Sequence, residues 1–201
     1  MGSLAAITEV LGIAVSPTTW TAAGVVVILV LVALSGFFSS SEIAMFSLAK
    51  HRIDALYEEG VEHAGTVKEL KSDPHRLLVT ILVGNNLVNI AMSSIATALL
   101  GYYLTQGQAV FAATFGITAL VLLFGEIAPK SYAVEHTEDW ALSVASPLSL
   151  TERVLYPLVV FFDVISRYVI TITGGHAAIE TSYVTRDEIQ NLIKTGDGEG
   201  A

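Results

Sequence analysis

Apolar residues run along this chain in long blocks, with the polar residues gathered between them. From Trp20 to Ser41 there is no charged residue, and from Leu77 to Gly125 there is none either. A membrane-crossing helix needs about 20 mostly apolar residues. The first block supplies one span, predicted over 18–47, with Thr18 and Thr19 as cap types and Trp20 at headgroup level. The second block is too long for one span. It folds at GYYLTQGQ (101–108) into two, predicted over 74–104 and 109–133. A single buried soluble core would need charged surface helices between these runs, and the runs contain none.

The remaining segments read differently. Residues 48–72 predict a cytoplasmic helix, with Leu48, Ile53, Leu56 and Tyr57 at helical spacing and interruptions at Gly60 and Gly65. SDP (72–74) is a helix start with Pro74 at its first position. EHTED (135–139) is a polar break. Residues 140–173 are apolar but carry Glu152, Arg153, Asp163 and Arg167, with Pro147 and Pro157 as breaks. They predict broken amphipathic helices lying at the interface as a collar. The alternative, a fourth span, would leave those charges buried. The chain thus divides into an extracytoplasmic segment (1–17), a transmembrane domain (18–134), juxtamembrane helices (135–175) and a cytoplasmic linker (176–201), where Thr185 and Glu188 have capping-box spacing. The expected fold class is an all-α integral membrane protein, with three transmembrane helices plus a cytoplasmic juxtamembrane helical belt.

Composition agrees. Hydrophobic residues make up 53% and charged residues 14%, against about a quarter charged in soluble domains. The net charge of −9 argues against a nucleic-acid partner. With no cysteine, disulfides and thiolate metal sites are excluded. There is no dinucleotide or P-loop glycine pattern and no visible nucleophile–base pair, so an enzyme is not expected. All ten Lys and Arg follow residue 49, and Lys50, Arg52, Lys68, Lys71 and Arg76 lie between the first two spans. The positive-inside rule makes that segment cytoplasmic, along with everything after span three. The expected location is the cell membrane, multi-pass, with the N-terminus outside and the C-terminus inside.

Each span carries a polar cluster that lipid penalises. SGFFSSSEIAMFS (35–47) supplies Ser35, Ser39 and Glu42 on one face, with Ser40 and Ser41 beside them. GNNLVN supplies Gly84, Asn85, Asn86 and Asn89, with Asn86, Asn89 and Ser93 on one face and Asn85 at its edge. GEIAPK supplies Gly125, Glu126, Pro129 and Lys130, with Glu126 and Lys130 at i and i+4. All three clusters fall toward the cytoplasmic half, so they can meet in one layer. The donors are hydroxyls, amide carbonyls and carboxylates, which suits hard divalent cations, Mg²⁺ or Ca²⁺. Na⁺ is also compatible. Pro129 cannot donate to the carbonyl of Gly125 and so frees it, and Gly84 permits close backbone approach. Blander readings exist for each part. The serines can serve helix packing and the asparagines can glue helices; Glu126 can pair with Lys130, and Glu42 can snorkel to the cytoplasm.

In this order and spacing the three motifs resemble the transmembrane domain of the CorC/CNNM (cyclin M) magnesium transporters, over roughly residues 18–195. The resemblance implies a homodimer in the lipid bilayer and export of Mg²⁺ coupled to Na⁺ entry by alternating access. A magnesium sensor or scaffold that modulates another transporter is the alternative. Carried over by motif, the ligands are Ser39, Gly84 or a neighbouring carbonyl, Asn86 (with Asn85 and Asn89 as alternatives) and Glu126. Ser35, Ser40, Ser41, Glu42, Gly125, Pro129 and Lys130 then line or gate the cavity. Such proteins continue into paired CBS domains that bind ATP. This chain carries no such pair and stops where the linker to them is expected.

Overall fold

A computed structural model of the protein describes residues 17–172. Among them are eight α-helices and one π-helical segment. In chain order they are α1 (Pro17–Ser47), α2 (Lys50–Glu58), α3 (Ala64–Leu70), α4 (Pro74–Leu100) and α5 (Gln106–Leu120). The π segment (Val121–Ile127) follows, then α6 (Ala128–Glu135), α7 (Thr137–Val154) and α8 (Tyr156–Ile172). The expected linker with Thr185 and Glu188, and the segment before Pro17, lie outside the described residues.

Three helical stretches are long and apolar enough to cross a membrane: Thr18–Ser47, Pro74–Leu100 and Gln106–Glu135. The second ends earlier than its apolar run, because Gly101–Leu104 form the turn. The third begins earlier, because the Gln108 side chain accepts the Thr105 main-chain N–H at 3.2 Å and fixes the start of α5. Trp20, Tyr102 and Tyr103 lie at the end of the bundle opposite the basic loop and are exposed, as an aromatic belt should be. There the Thr21 and Tyr103 hydroxyls meet at 2.7 Å, joining α1 to the α4–α5 turn.

Spans pack here through small residues, since apolar side chains gain little by leaving lipid for protein. A Cβ on Gly24 would lie 2.6 Å from Leu99 Cδ1, and one on Gly84 would lie 2.5 Å from the Phe38 ring. These two contacts fix α1 against α4. On its other side α1 meets the third span, where a Cβ on Gly36 would lie 3.0 Å from Pro129 Cγ. α4 packs on α5 but leaves the π segment and α6 largely uncontacted, so spans two and three separate toward the basic end.

That end is tied by ion pairs. Arg52 of α2 grips Glu138 of α7 with two hydrogen bonds, 2.7 and 2.8 Å. Lys68 pairs with Asp54 at 2.8 Å, and Arg76 with Glu152 at 2.6 Å. Arg167 joins Asp73 and Asp163 at 2.8 and 3.0 Å. The loop helix breaks once, at Gly60 and His63, both with positive φ. Gly65 sits inside α3 and does not break it. Pro147 likewise stays within α7. It and Ser143, whose carbonyl it leaves without a donor, both face outward. The real break is at Leu155, where α7 and α8 bend by 84°. By length and composition the pair, here called the collar, is also apolar enough for one broken span; Val159 is buried and most of α8's other apolar side chains are open.

Asp73 caps α4 by accepting the Arg76 N–H at 3.1 Å. Burial pushes its carboxyl up, but that hydrogen bond and the Arg167 guanidinium together hold it below the ordinary value. A depressed carboxyl stabilises the fold above its unfolded-state pKa of about 3.9, and the contribution is lost as pH falls through the folded value. Asp73→Ala should cost about 1 kcal/mol at neutral pH, read as a lower thermal midpoint in detergent. The gap from the parent should close as pH drops below about 4.

Candidate cation site

The three sequence motifs meet at Ser35. Its hydroxyl is fully buried and lies 3.1 Å from Asn85 Oδ1 and 3.0 Å from Asn89 Oδ1. A serine has one proton to donate, so two amide carbonyls share it. Asn89 Nδ2 in turn points at Asn85 Oδ1 at 3.5 Å. On the opposite side stands Gly125, where an added Cβ would lie 2.7 Å from Ser35 Oγ. Only a glycine lets the third span come this close. The level agrees on every helix: Ser35, Asn85, Asn89 and Gly125 all lie about 15–23 Å along their helices from the basic end, at 1.5 Å per residue.

One turn toward that end, Ser39 is 2% exposed and its hydroxyl has no hydrogen-bond partner. A buried hydroxyl without a partner costs free energy, which marks the position as one kept for something other than packing. Ser41 is also buried and unpartnered, but it lies about 120° round the helix from Ser35 and so faces away from the layer. Ser40 is turned to its own helix, donating to the Gly36 carbonyl at 2.7 Å.

Asn86 does not join the layer. Its Nδ2 donates to the Leu82 carbonyl of its own helix at 2.9 Å. The side chain lines an apolar groove of about 430 Å³ between α4 and α8, with Leu82, Ile90, Leu158 and Phe162. Ser93, expected on the layer's face, is exposed. The face of α4 that turns inward is therefore that of Asn85 and Asn89, one turn apart. Asn86 sits about 100° away from Asn85, toward the collar. Gly84 is buried beneath the Phe38 ring and works as a packing notch.

The third span departs from the α register where the GEIAPK motif begins. Over Val121–Ile127 it is a π-helix, and the Ala128 N–H reaches back five residues to Leu123 O. In that register the carbonyl that Pro129 leaves without a donor is Phe124's, one residue earlier than an α-helical reading gives. That oxygen faces α1, 3.2 Å from where a Gly36 Cβ would be. Sequence reasoning missed the π turn. Its available signal was a glycine four residues before a proline, where the narrower register already lacks one bond.

The acidic groups are arranged across helices. Lys130 pairs with Glu42 of α1 at 3.1 Å, and not with Glu126 one turn before it. Glu42 is thus held between spans and does not snorkel free. Glu126 is half-buried, and among the described residues it has no ion pair. Among the described residues no three His, Cys, Asp or Glu side chains gather as a metal cage. The site is built of neutral oxygens with carboxylates at its margin.

A cyclin M transmembrane N-terminal domain model matches residues 26–201. The chain belongs to the CorC/CNNM (cyclin M) family. Its relatives include a UPF0053 protein of Haemophilus influenzae, 32% identical over 84% of this chain and 40% of that one. The UPF0053 inner membrane protein YfjD of Escherichia coli is 31% identical over 80% of this chain and 37% of that one. The polyamine export protein of Haemophilus influenzae is 29% identical over 71% and 36%. The CNNM chain therefore spans about two fifths of the length of these curated relatives. Family and apolar spans together make it a multi-pass membrane protein.

Removing the shared proton tests the layer. Ser35→Ala should leave two amide carbonyls facing each other and cost about 1 kcal/mol of stability, read as a lower unfolding midpoint in detergent. Ser40→Ala, which breaks only a bond within its own helix, should cost less.

Proposed function

We propose that this CNNM domain exports Mg²⁺ by alternating access at the Ser35–Asn85–Asn89 layer, with Na⁺ entering in exchange. The observation that carries the reading is the convergence at one buried level of oxygens from two spans, Ser35 with Asn85 and Asn89, against Gly125 of the third. Ser35 keeps its proton, and the O–H turns away as the ion settles between the three oxygens. An octahedron with Mg–O bonds of about 2.1 Å has edges of about 3.0 Å. The Ser35–Asn85 and Ser35–Asn89 oxygen separations, 3.1 and 3.0 Å, already have that length. Hydrogen-bond spacing and ligand spacing coincide, so the donors need only rotate. Ser39 Oγ, the Phe124 carbonyl and Glu126 are the further oxygens within the same part of the bundle.

Neutral donors suit a transported ion. A cage of three carboxylates would hold a divalent cation too long, whereas conduction needs binding weak enough to release. Spans two and three separate toward the basic end, which is the cytoplasmic side by the positive-inside rule, and the ion enters from there. In this reading the domain loads from inside, with the N-terminus outside the cell membrane and the C-terminus inside. Outward release requires the outer half, closed by Gly24 on Leu99, to part. The domain works as a homodimer, and ATP acts on it only through CBS domains joined to its C-terminal side. No covalent chemistry is involved. A long organic cation fits this layer poorly, because Gly84 and Gly125 leave no room beside Phe38 and Ser35.

Purified protein in liposomes should move Mg²⁺ at a rate that rises with an opposing Na⁺ gradient. Asn89→Ala should slow it about tenfold or more, while Asn86→Ala should stay within about twofold of the parent. Mg²⁺ binding without flux would identify a sensor instead, and flux indifferent to Na⁺ would identify a channel.

A further inference from the structure

Apart from Arg76 and Glu135 close to their ends, the spans carry three charged side chains: Glu42, Glu126 and Lys130. Lys130 could reach Glu126 on its own helix at i−4, the cheapest pairing available. It crosses instead to Glu42 on α1. Among the described residues that leaves Glu126 without an ion pair, and Glu42, Glu126 and Lys130 together carry a net charge of −1. A dehydrated Mg²⁺ in a low-dielectric cleft calls for two negative charges; Na⁺ calls for one. The geometry of the Lys130–Glu42 pair matches the monovalent case as it stands. It matches the divalent case once the ammonium withdraws.

We propose that Lys130 is a tethered cation that sets the charge of the site and so decides which ion it takes. With the ammonium on Glu42, the mouth is −1 and accepts Na⁺. When Mg²⁺ arrives, its field displaces the ammonium toward the cytoplasmic end, and Glu42 with Glu126 supplies −2. When Mg²⁺ leaves, Lys130 returns and weakens the site for a second divalent ion. The side chain is suited to this. Its flexible four-carbon stem and compact charge allow withdrawal without backbone movement. Lys130 is about a third exposed and Glu42 slightly less, so both border water at the open end. Lys130 is also anchored at a fixed height, because Pro129 beside it packs on Gly36 of α1. The exchange of two unlike cations at one site then follows from a displaceable internal charge, with no second site needed. Lys130 is here a specificity-determining residue and does not itself ligate the ion.

This inference rests on the Mg²⁺ site proposed above, and titration calorimetry on the purified protein in detergent separates the two. Lys130→Gln should bind Mg²⁺ about tenfold more tightly, since a positive charge leaves the mouth, and Na⁺ should compete less well. Glu42→Gln should bind Mg²⁺ about tenfold more weakly, with Lys130 free to cap Glu126. The double variant Glu42→Gln with Lys130→Gln restores −1 and should return to near the parental affinity, which a merely structural ion pair would not predict. Unchanged or weaker Mg²⁺ binding by Lys130→Gln, with binding still lost in Asn89→Ala, overturns the charge switch alone. Binding at parental affinity in Asn89→Ala overturns the site, and the switch with it.

Discussion

One proton held between two amide carbonyls organises the bundle. In hydrocarbon the Ser35 hydroxyl and the Asn85 and Asn89 side chains must find partners inside the protein, because lipid offers none. They find one another. That requirement fixes the rotation of α1 against α4, and the glycine opposite fixes the approach of the third span. A change in either rotation would turn amides into lipid. Apolar packing between spans is permissive by comparison, since lipid can replace a leucine contact but cannot replace a hydrogen bond.

The same constraint gives the layer its chemistry. Groups that satisfy each other with a single mobile proton can also satisfy a small cation at the same spacing. A polar layer that is stable when empty can therefore load without rebuilding the helices. The π turn adds to this. It offsets the third span by part of a residue, presents the Phe124 carbonyl to α1, and places Gly125 against Ser35 while keeping Glu126 at the margin.

The collar plays a different part. Its ion pairs lie at the basic end, Arg52 of the loop helix α2 to Glu138, Arg76 to Glu152 and Arg167 to Asp73, while Ala141, Val144, Ala145 and Leu148 of α7 are buried in the apolar core. Such pairs are individually modest at an exposed surface. Several of them on one elbow still fix where α7 and α8 sit. Movement of α8 is thereby linked to the start of α4, the helix that carries Asn85 and Asn89.

The sequence by itself determined the spans, the polar break after the third, the all-oxygen character of the polar clusters and the family. Each of these depends on composition or on spacing along one helix, and lipid makes both unusually strict. It also placed Ser35, Asn85, Asn89 and Gly125 at one level, because rise per residue is constant. Rotation was not determined. Asn85, Asn86 and Asn89 are close neighbours on a helical wheel, and only packing against α1 and α8 decided that Asn86 faces the collar. Lys130 chose Glu42 over the nearer Glu126 for the same kind of reason. A partner on another helix is invisible to periodicity, and the π register that shifts every later side chain follows from interhelical contact as much as from Pro129.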